Sequence, residues 1–354
     1  MTAFNKNSYS IKENEHMKTI ELKTPYLIFL GEETRDGYAK TGFGIAEWRR
    51  SLCKGQMSLK GGTINLGLPS MTIKEAAEAN VGSLIIGTAS IGGEIPDAWI
   101  ETLEEALLKG IDIVAGVHNH LKDVPRLREA ATRSGARLVD IRTPPENIPV
   151  GSGKKRTGRR LLTVGTDCAV GKKYTALALE KDMKGRGMNV DFIASGQTGI
   201  MIAGKGIPID AVVTDFVSGA AELLSPDNDA DHWDIVEGQG SVFHPGYAAV
   251  SIGLLVGSQP DAFVVCHEAN RKYIEGWENF VLPTIQEVIE RTIQIGKLTN
   301  KGIRCVGVSV NTSQLNPEES KKYLDNLSKK IGLPCVDPLK DGTQEIIDFL
   351  IKID

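Results

Sequence analysis

The stretch LLTVGTDCAVGKKYTALALE, Leu161 to Glu180, decides the fold. A short apolar strand enters a loop holding Gly165 and Gly171, and a helix begins at or near Lys172. Strand, loop and helix in that order make a phosphate loop: successive backbone N–H groups converge on an anion, and the helix dipole adds partial positive charge. Gly171 lets the backbone approach closely, and Lys172 supplies a point charge. The expected anion site is therefore Gly165, Thr166, Asp167, Cys168, Ala169, Val170, Gly171, Lys172, Lys173 and Tyr174. One position breaks the usual pattern. Ser or Thr normally follows Gly-Lys and binds Mg²⁺ through its hydroxyl, whereas this chain has Lys173, whose ammonium cannot coordinate a metal. Thr175, two places on along the helix, points to another face. The loop is expected to hold a di- or triphosphate-like group without a divalent ion, and no metal ligand is assigned.

Working outward, short apolar runs alternate with longer amphipathic ones. Before the loop, strands are expected at Tyr26 to Leu30, Ser83 to Ile86, Ile111 to Val114 and Leu138 to Ile141, with helices at Ile73 to Asn80, Pro96 to Lys109 and Pro125 to Ser134. From Leu161 onward, strands are expected at Leu161 to Val164, Val190 to Ala194, Trp233 to Val236, Ala262 to Cys266 and Arg304 to Val308. Helices are expected at Lys172 to Lys184, Ala211 to Leu224, Ala248 to Val256, Thr284 to Ile295, Pro317 to Lys330 and Thr343 to Ile351. Such alternation implies right-handed crossovers and mainly parallel sheets. The expectation is two α/β domains: a Rossmann-like parallel-sheet domain over residues 21–145 and a P-loop NTPase-like domain over 161–354. Residues 1–20, polar and without periodicity, read as an arm. Residues 146–160 read as a linker, with five basic residues and three glycines in GSGKKRTGRR. Its charge suits either a solvated loop or an arm reaching toward an anionic ligand.

Composition narrows the classes. The 354 residues carry 41 Lys plus Arg against 45 Asp plus Glu, a formal charge of −4, which argues against nucleic acid or an anionic membrane as partner. Five widely spaced cysteines form neither a disulfide framework nor a zinc knuckle and fit a reducing compartment. No segment approaches the roughly 20 apolar residues of a membrane span, and the polar start lacks the apolar core of a signal peptide. A cytoplasmic protein acting on a small molecule is expected, as a homo-oligomer on general prevalence.

In open parallel sheets, ligands bind beyond the C-terminal strand ends. Four such ends are rich in small and polar residues: Ser195-Gly196-Gln197-Thr198-Gly199, Glu237-Gly238-Gln239-Gly240-Ser241 followed by His244, His267-Glu268-Ala269-Asn270-Arg271, and Ser309-Val310-Asn311-Thr312. In the first domain, His118-Asn119-His120 lacks a third metal ligand at obvious spacing and reads as strand-end hydrogen bonding. GYAKTGFG, Gly37 to Gly44, is not a dinucleotide fingerprint.

Two resemblances attach to these segments. GTDCAVGK and VEGQGS resemble the phosphate loop and acidic segment of dethiobiotin synthetases, over the second domain's nucleotide-binding core alone. Nearly the full chain resembles the D-glutamate N-acetyltransferase-like family. The segments that carry this are GVHNHLKDVPRL (Gly116 to Leu127), LVDIRTPPEN (Leu138 to Asn147), VGTDCAVGKKYTALALE, DFIASGQTGIMIAG (Asp191 to Gly204), VEGQGSVFHPGYA (Val236 to Ala248) and PDAFVVCHEANR (Pro260 to Arg271). That resemblance implies an α/β domain joined to a P-loop domain, with acetyl-CoA as co-substrate and the amino group of D-glutamate as acceptor. A phosphate loop without its metal hydroxyl suits the pyrophosphate of coenzyme A.

N-acetylation needs a neutral amine, a nearby thioester carbonyl and donors for the developing oxyanion. Glu237, His244 and Asp167 are the candidate catalytic residues. Arg271 is the candidate anchor for a substrate carboxylate, with Ser195, Gln197, Thr198 and His267 as further substrate contacts. Cys168 offers an acetyl-thioester nucleophile or simply a small side chain in a tight loop. Asp215 reads as the start of a helix. Two other functions stay open at this level: an ATP- and Mg²⁺-dependent ligase or kinase with metal ligands drawn from Asp167, Glu237 and Thr175, and a nucleotide-binding regulatory module.

Overall fold

The computed structural model describes residues 20–88, 95–117 and 119–353. The expected arm lies outside them except for Ile20, and so does His118. The first domain runs β1 (Ile20–Glu21), β2 (Tyr26–Gly31), α1 (Lys40–Trp48), β3 (Cys53–Ser58), α2 (Ile73–Glu78), β4 (Ser83–Ile86), α3 (Asp97–Leu108), β5 (Asp112–Ala115), α4 (Pro125–Ser134) and β6 (Leu138–Asp140). Five of its strands form a sheet in the order β3-β2-β4-β5-β6, every pair parallel. The buried apolar runs of β2 and β4 lie side by side in it. Helix α4 has the bounds its pattern predicts, opened by Pro125 in the first turn and closed by Gly135 in the left-handed conformation. Sequence reasoning passed over β3 and α1. CKGQMS has no apolar run because β3 is a half-exposed edge strand, and two glycines in nine residues hide α1.

The second domain runs β7 (Arg159–Gly165), α5 (Lys172–Gly185), β8 (Val190–Ile193), α6 (Gln197–Ala203), β9 (Lys205–Gly206), α7 (Val217–Leu224), β10 (Trp233–Val236), α8 (Ala248–Ser258), β11 (Ala262–Glu268), β12 (Tyr273–Ile274), β13 (Trp277–Val281), α9 (Ile285–Gly296), β14 (Arg304–Asn311), α10 (Pro317–Ile331), β15 (Cys335–Val336) and α11 (Gln344–Ile353). Its six-stranded parallel sheet has the order β15-β14-β11-β7-β10-β8, which puts the phosphate-loop strand between β11 and β10. The helix expected from Ala211 is instead two short 3-10 turns, Ile209–Ala211 and Thr214–Phe216, followed by α7. The β-branched run Val212-Val213-Thr214 opposes an α-helix there. Asp215 sits in the second turn, and no side chain caps α7.

The basic stretch before β7 divides: Lys154 and Lys155 are exposed, as a solvated loop would have them, whereas two of its arginines are buried at the end of β7 away from the phosphate loop. Arg160 is fully buried and Arg156 nearly so. The Arg156 guanidinium donates to the carbonyls of Glu222 and Ser225 at the end of α7 and of Gly257 and Ser258 at the end of α8. These are the carbonyls that a helix leaves without partners in its last turn, and a cation complements the dipole of both helices at once. Arg160 donates to Ser225 Oγ and to the carbonyls of Thr157 and Pro226, while Ser225 donates on to the buried Asp234. All of this lies at the end of β7 opposite the loop.

The domains share a core. One apolar cluster joins Tyr26, Ile28 and Ile45 of the first to Ile200, Met201 and Ile202 of the second. β1 pairs antiparallel with β9, Arg49 ion-pairs with Glu180 at 3.1 Å, and α1 lies against α6. This seam brings the first domain beside the start of α5. Among the described residues, no helix is long and apolar enough to cross a membrane.

Candidate functional site

The loop closes as its sequence requires. α5 begins at Lys172, and Gly171 before it has φ +99°, a left-handed conformation that suits glycine. Lys172 is buried, its Nζ donating to the Asp167 carbonyl at 2.8 Å, and burial pulls its pKa down. The Thr175 hydroxyl lies between the Gly171 carbonyl, at 3.1 Å, and Ser309 Oγ, at 2.7 Å. It is turned into the sheet and cannot replace the missing metal hydroxyl. Lys173 Nζ lies 4.4 Å from the centroid of the Tyr174 ring and, among the described residues, has no hydrogen bond or ion pair. Burial lowers its pKa, Glu237 opposes that shift, and Lys40 from the first turn of α1 reinforces it.

Glu237 follows β10 and is buried. Its Oε2 accepts from the backbone N–H of Ser195 and Gly196, at 3.0 and 2.9 Å, just ahead of α6. Its Oε1 accepts no hydrogen bond from a described residue. A Cβ on Gly199 would come within 2.1 Å of the carboxylate, so α6 packs onto Glu237 only because that residue is glycine. Desolvation raises the Glu237 pKa against the pull of its backbone donors and Lys173.

Asp167, His244, Cys168 and Arg271 meet on the other face of the loop. Asp167 is fully buried and accepts from Cys168 N, from Arg271 Nη1 at 3.0 Å and from Glu275 N at 2.8 Å. Arg271 also pairs with Glu268 and, at 3.4 Å, with Glu275. Its charge is thus matched by three carboxylates of this chain, the salt-bridged arrangement rather than an unpaired cation facing a substrate carboxylate. His244 accepts the Gly246 N–H at Nδ1, 3.1 Å, and directs Nε2 toward Asp167, 3.9 Å away. An imidazole that accepts at Nδ1 carries its proton on Nε2, and burial depresses its pKa and keeps it neutral. The lone pair of His244 Nδ1 is thus taken by the Gly246 N–H, whereas Glu237 keeps Oε1 clear of hydrogen bonds among the described residues. Burial raises the Cys168 thiol pKa, against an acyl-accepting thiolate. Asp167, Cys168 and His244 place one ligand atom each within 4.8 Å of one another. Asp167 is engaged by Arg271 and two backbone N–H groups and His244 Nδ1 by the Gly246 N–H, so within this set those two residues are committed to the protein's own donors.

The remaining candidates divide. Ser195 is buried and shares its hydroxyl between the Glu237 carbonyl and Gln239 Nε2, so it braces the loop. Gln197 and Thr198 stand at the domain seam, Gln197 Oε1 receiving Arg142 at 3.3 Å and Thr198 Oγ1 lying 3.3 Å from Thr41 Oγ1. His267 bridges Thr166 Oγ1, at 3.1 Å, and Tyr323 Oη, at 3.2 Å, and burial takes its pKa down to about 4. His120 Nδ1 lies 3.6 Å from Asp140 Oδ2, close to but outside hydrogen-bond range, so the strand-end hydrogen bond expected of it is not formed with Asp140. Sequence reasoning missed Tyr247 and Trp277, whose rings flank His244 at 4.5 and 4.6 Å, and Lys40 and Thr41 of α1. No local pattern marks them, because each reaches the site through tertiary packing.

The two parallel sheets and this loop define a class: a P-loop α/β protein with a Rossmann-like N-terminal domain. Residues 149–347 match the family model described as "Domain of unknown function (DUF1611_C) P-loop domain", and residues 53–144 match "Domain of unknown function (DUF1611_N) Rossmann-like domain". The chain belongs to this DUF1611 family. It is 46% identical to a D-glutamate N-acetyltransferase of Pseudoalteromonas sp, across 93% of this chain and 99% of that one. It is 44% identical to a D-glutamate N-acetyltransferase of Tritonibacter scottomollicae, across 94% and 100%. The crystal structure of a DUF1611 family protein from Anabaena variabilis superposes with a TM-score of 0.81 at 31% identity, covering 93% of this chain and 100% of that chain.

Proposed function

We infer that this protein is an N-acetyltransferase that moves an acetyl group from acetyl-CoA to the amino group of D-glutamate. The observation that carries the reading is 46% identity over nearly the whole chain to an enzyme of that name. The loop supports it physically: Lys173 occupies the metal-hydroxyl position and Thr175 is committed to Gly171 and Ser309, so the pyrophosphate of CoA is held by backbone N–H groups, Lys172 and Lys173. The ATP- and Mg²⁺-dependent alternative loses its hydroxyl ligand by the same geometry.

In this reading the thioester points along the loop toward Glu237. Oε1 takes a proton from the substrate ammonium, and its raised pKa suits that task. The freed amine attacks the thioester carbonyl, the C–S bond breaks, and CoA leaves as the thiol. The acidic substrate enters at the domain seam, where Lys40 supplies charge for a carboxylate and Gln197 and Thr198 line the approach. The reading includes a cytoplasmic homo-oligomer, supported by five unpaired cysteines and the prevalence of symmetric oligomers.

Incubation with D- or L-glutamate and acetyl-CoA, following free thiol, alongside ATP, following ADP, tests this. Thiol release that depends on D-glutamate is expected. ADP formation without thiol release would overturn the reading.

A further inference from the structure

On the side of the phosphate loop away from Glu237 lies a cavity of about 440 Å³, within the roughly 300–1,000 Å³ of small-molecule sites. Sheet order fixes the side: β7 is flanked by β10, which leads to Glu237, and by β11, which carries His267. Two hydrogen bonds connect loop and cavity, Thr166 to His267 and His267 to Tyr323, and both His267 and Tyr323 line it. The rest of the wall combines apolar surface from Leu282, Leu327 and Ile331 with the cations Lys272 and Lys330. Both lysines are exposed, and neither side chain has a hydrogen bond or ion pair among the described residues. Arg271 in the same wall is already matched by carboxylates.

A CoA molecule gripped by its pyrophosphate extends two ways. Its pantetheine arm carries the thioester; its other arm is an adenosine bearing a 3′-phosphate. With the thioester directed to Glu237 on the β10 side, the adenosine arm is left the β11 side of the loop, where this cavity lies. We propose that the cavity is the adenosine 3′-phosphate subsite, with the purine against Leu282, Leu327, Ile331 and Tyr323 and the 3′-phosphate between Lys272 and Lys330. This rests on the acetyl-CoA reading above and adds what distinguishes CoA from a plain nucleotide. Apolar surface suits the purine, and two unmatched ammonium groups suit a dianion that ADP does not carry at that position.

The test compares acetyl-CoA with 3′-dephospho-acetyl-CoA as donors to D-glutamate, in the native chain and in a Lys272→Ala/Lys330→Ala double variant. Both substitutions lie on the surface, and thermal melting checks that the fold is retained. The native enzyme is expected to show a KM at least tenfold higher for the dephospho donor. The double variant should raise the KM for acetyl-CoA about tenfold and leave the dephospho KM within twofold, so that the preference disappears. Equal KM values in the native enzyme, or a preference that survives in the variant, would overturn the subsite. Failure of the enzymatic reading looks different: no thiol release from either donor. Calorimetric titration with CoA and dephospho-CoA decides the subsite in that event too, with equal affinities overturning it and a preference abolished in the variant supporting it.

Discussion

The two ends of the second sheet handle positive charge in opposite ways. At the N-terminal end of β7, Arg156 and Arg160 are buried and donate to carbonyls at the ends of α7 and α8 and to Ser225, which donates on to Asp234. At the C-terminal end, Lys172 is buried with a single carbonyl partner, and Lys173 has no hydrogen bond or ion pair among the described residues. Helix C-termini present carbonyls and need cations as structure; a helix N-terminus presents N–H groups and leaves its cations for a ligand. Of two basic runs that look alike in sequence, one is thus a fastener and the other is, in the proposed reading, a binding site.

The sharpest break between the ends should come from Arg160→Ala. It leaves Ser225 Oγ and the carbonyls of Thr157 and Pro226 without their donor and the buried Asp234 without a neighbouring positive charge, and about 3–5 kcal/mol of stability should be lost, as for other buried charge partners. Denaturant melts measure that, and activity per folded molecule should stay unchanged. On the loop side, His267 titrates at about 4 when folded, below its ordinary value of 6.5. The unfolded chain therefore binds the extra proton first, so stability is full above pH 6.5 and falls toward pH 4, by about 3 kcal/mol in all. Melts across this window should be steeper in the native chain than in His267→Gln.

Chemistry separates the candidates further. Glu237→Gln should lower kcat about 100-fold, the lower range for loss of a general base, whereas His244→Asn should cost much less. Comparable losses from both would restore His244 as a base. The smallest effect is expected from Lys173→Ser, about a tenfold weaker hold on acetyl-CoA, equal to one lost charge-assisted contact of about 1.4 kcal/mol.

What could be read from residues alone follows from how local the cause is. The phosphate loop, α4 and the parallel sheets depend on neighbours within a few positions, so their patterns survive in sequence. α1, β3 and α6 draw their stability from tertiary contacts, and their glycine-rich or polar segments read as loops. Of the partners of Arg271, Glu268 and Glu275 stand three and four positions away in the sequence, and Asp167 lies on another loop that only the fold brings to it. The linker arginines looked solvated because nothing in the chain near them shows the carbonyls at the ends of α7 and α8.

Calorimetric titration of acetyl-CoA, once in EDTA and once with excess Mg²⁺, bears most directly on a loop that grips a pyrophosphate with lysines in place of a metal. The account predicts the same Kd in both solutions. Binding of acetyl-CoA that vanishes in EDTA, or tight Mg²⁺-ATP binding with no response to acetyl-CoA, would contradict it.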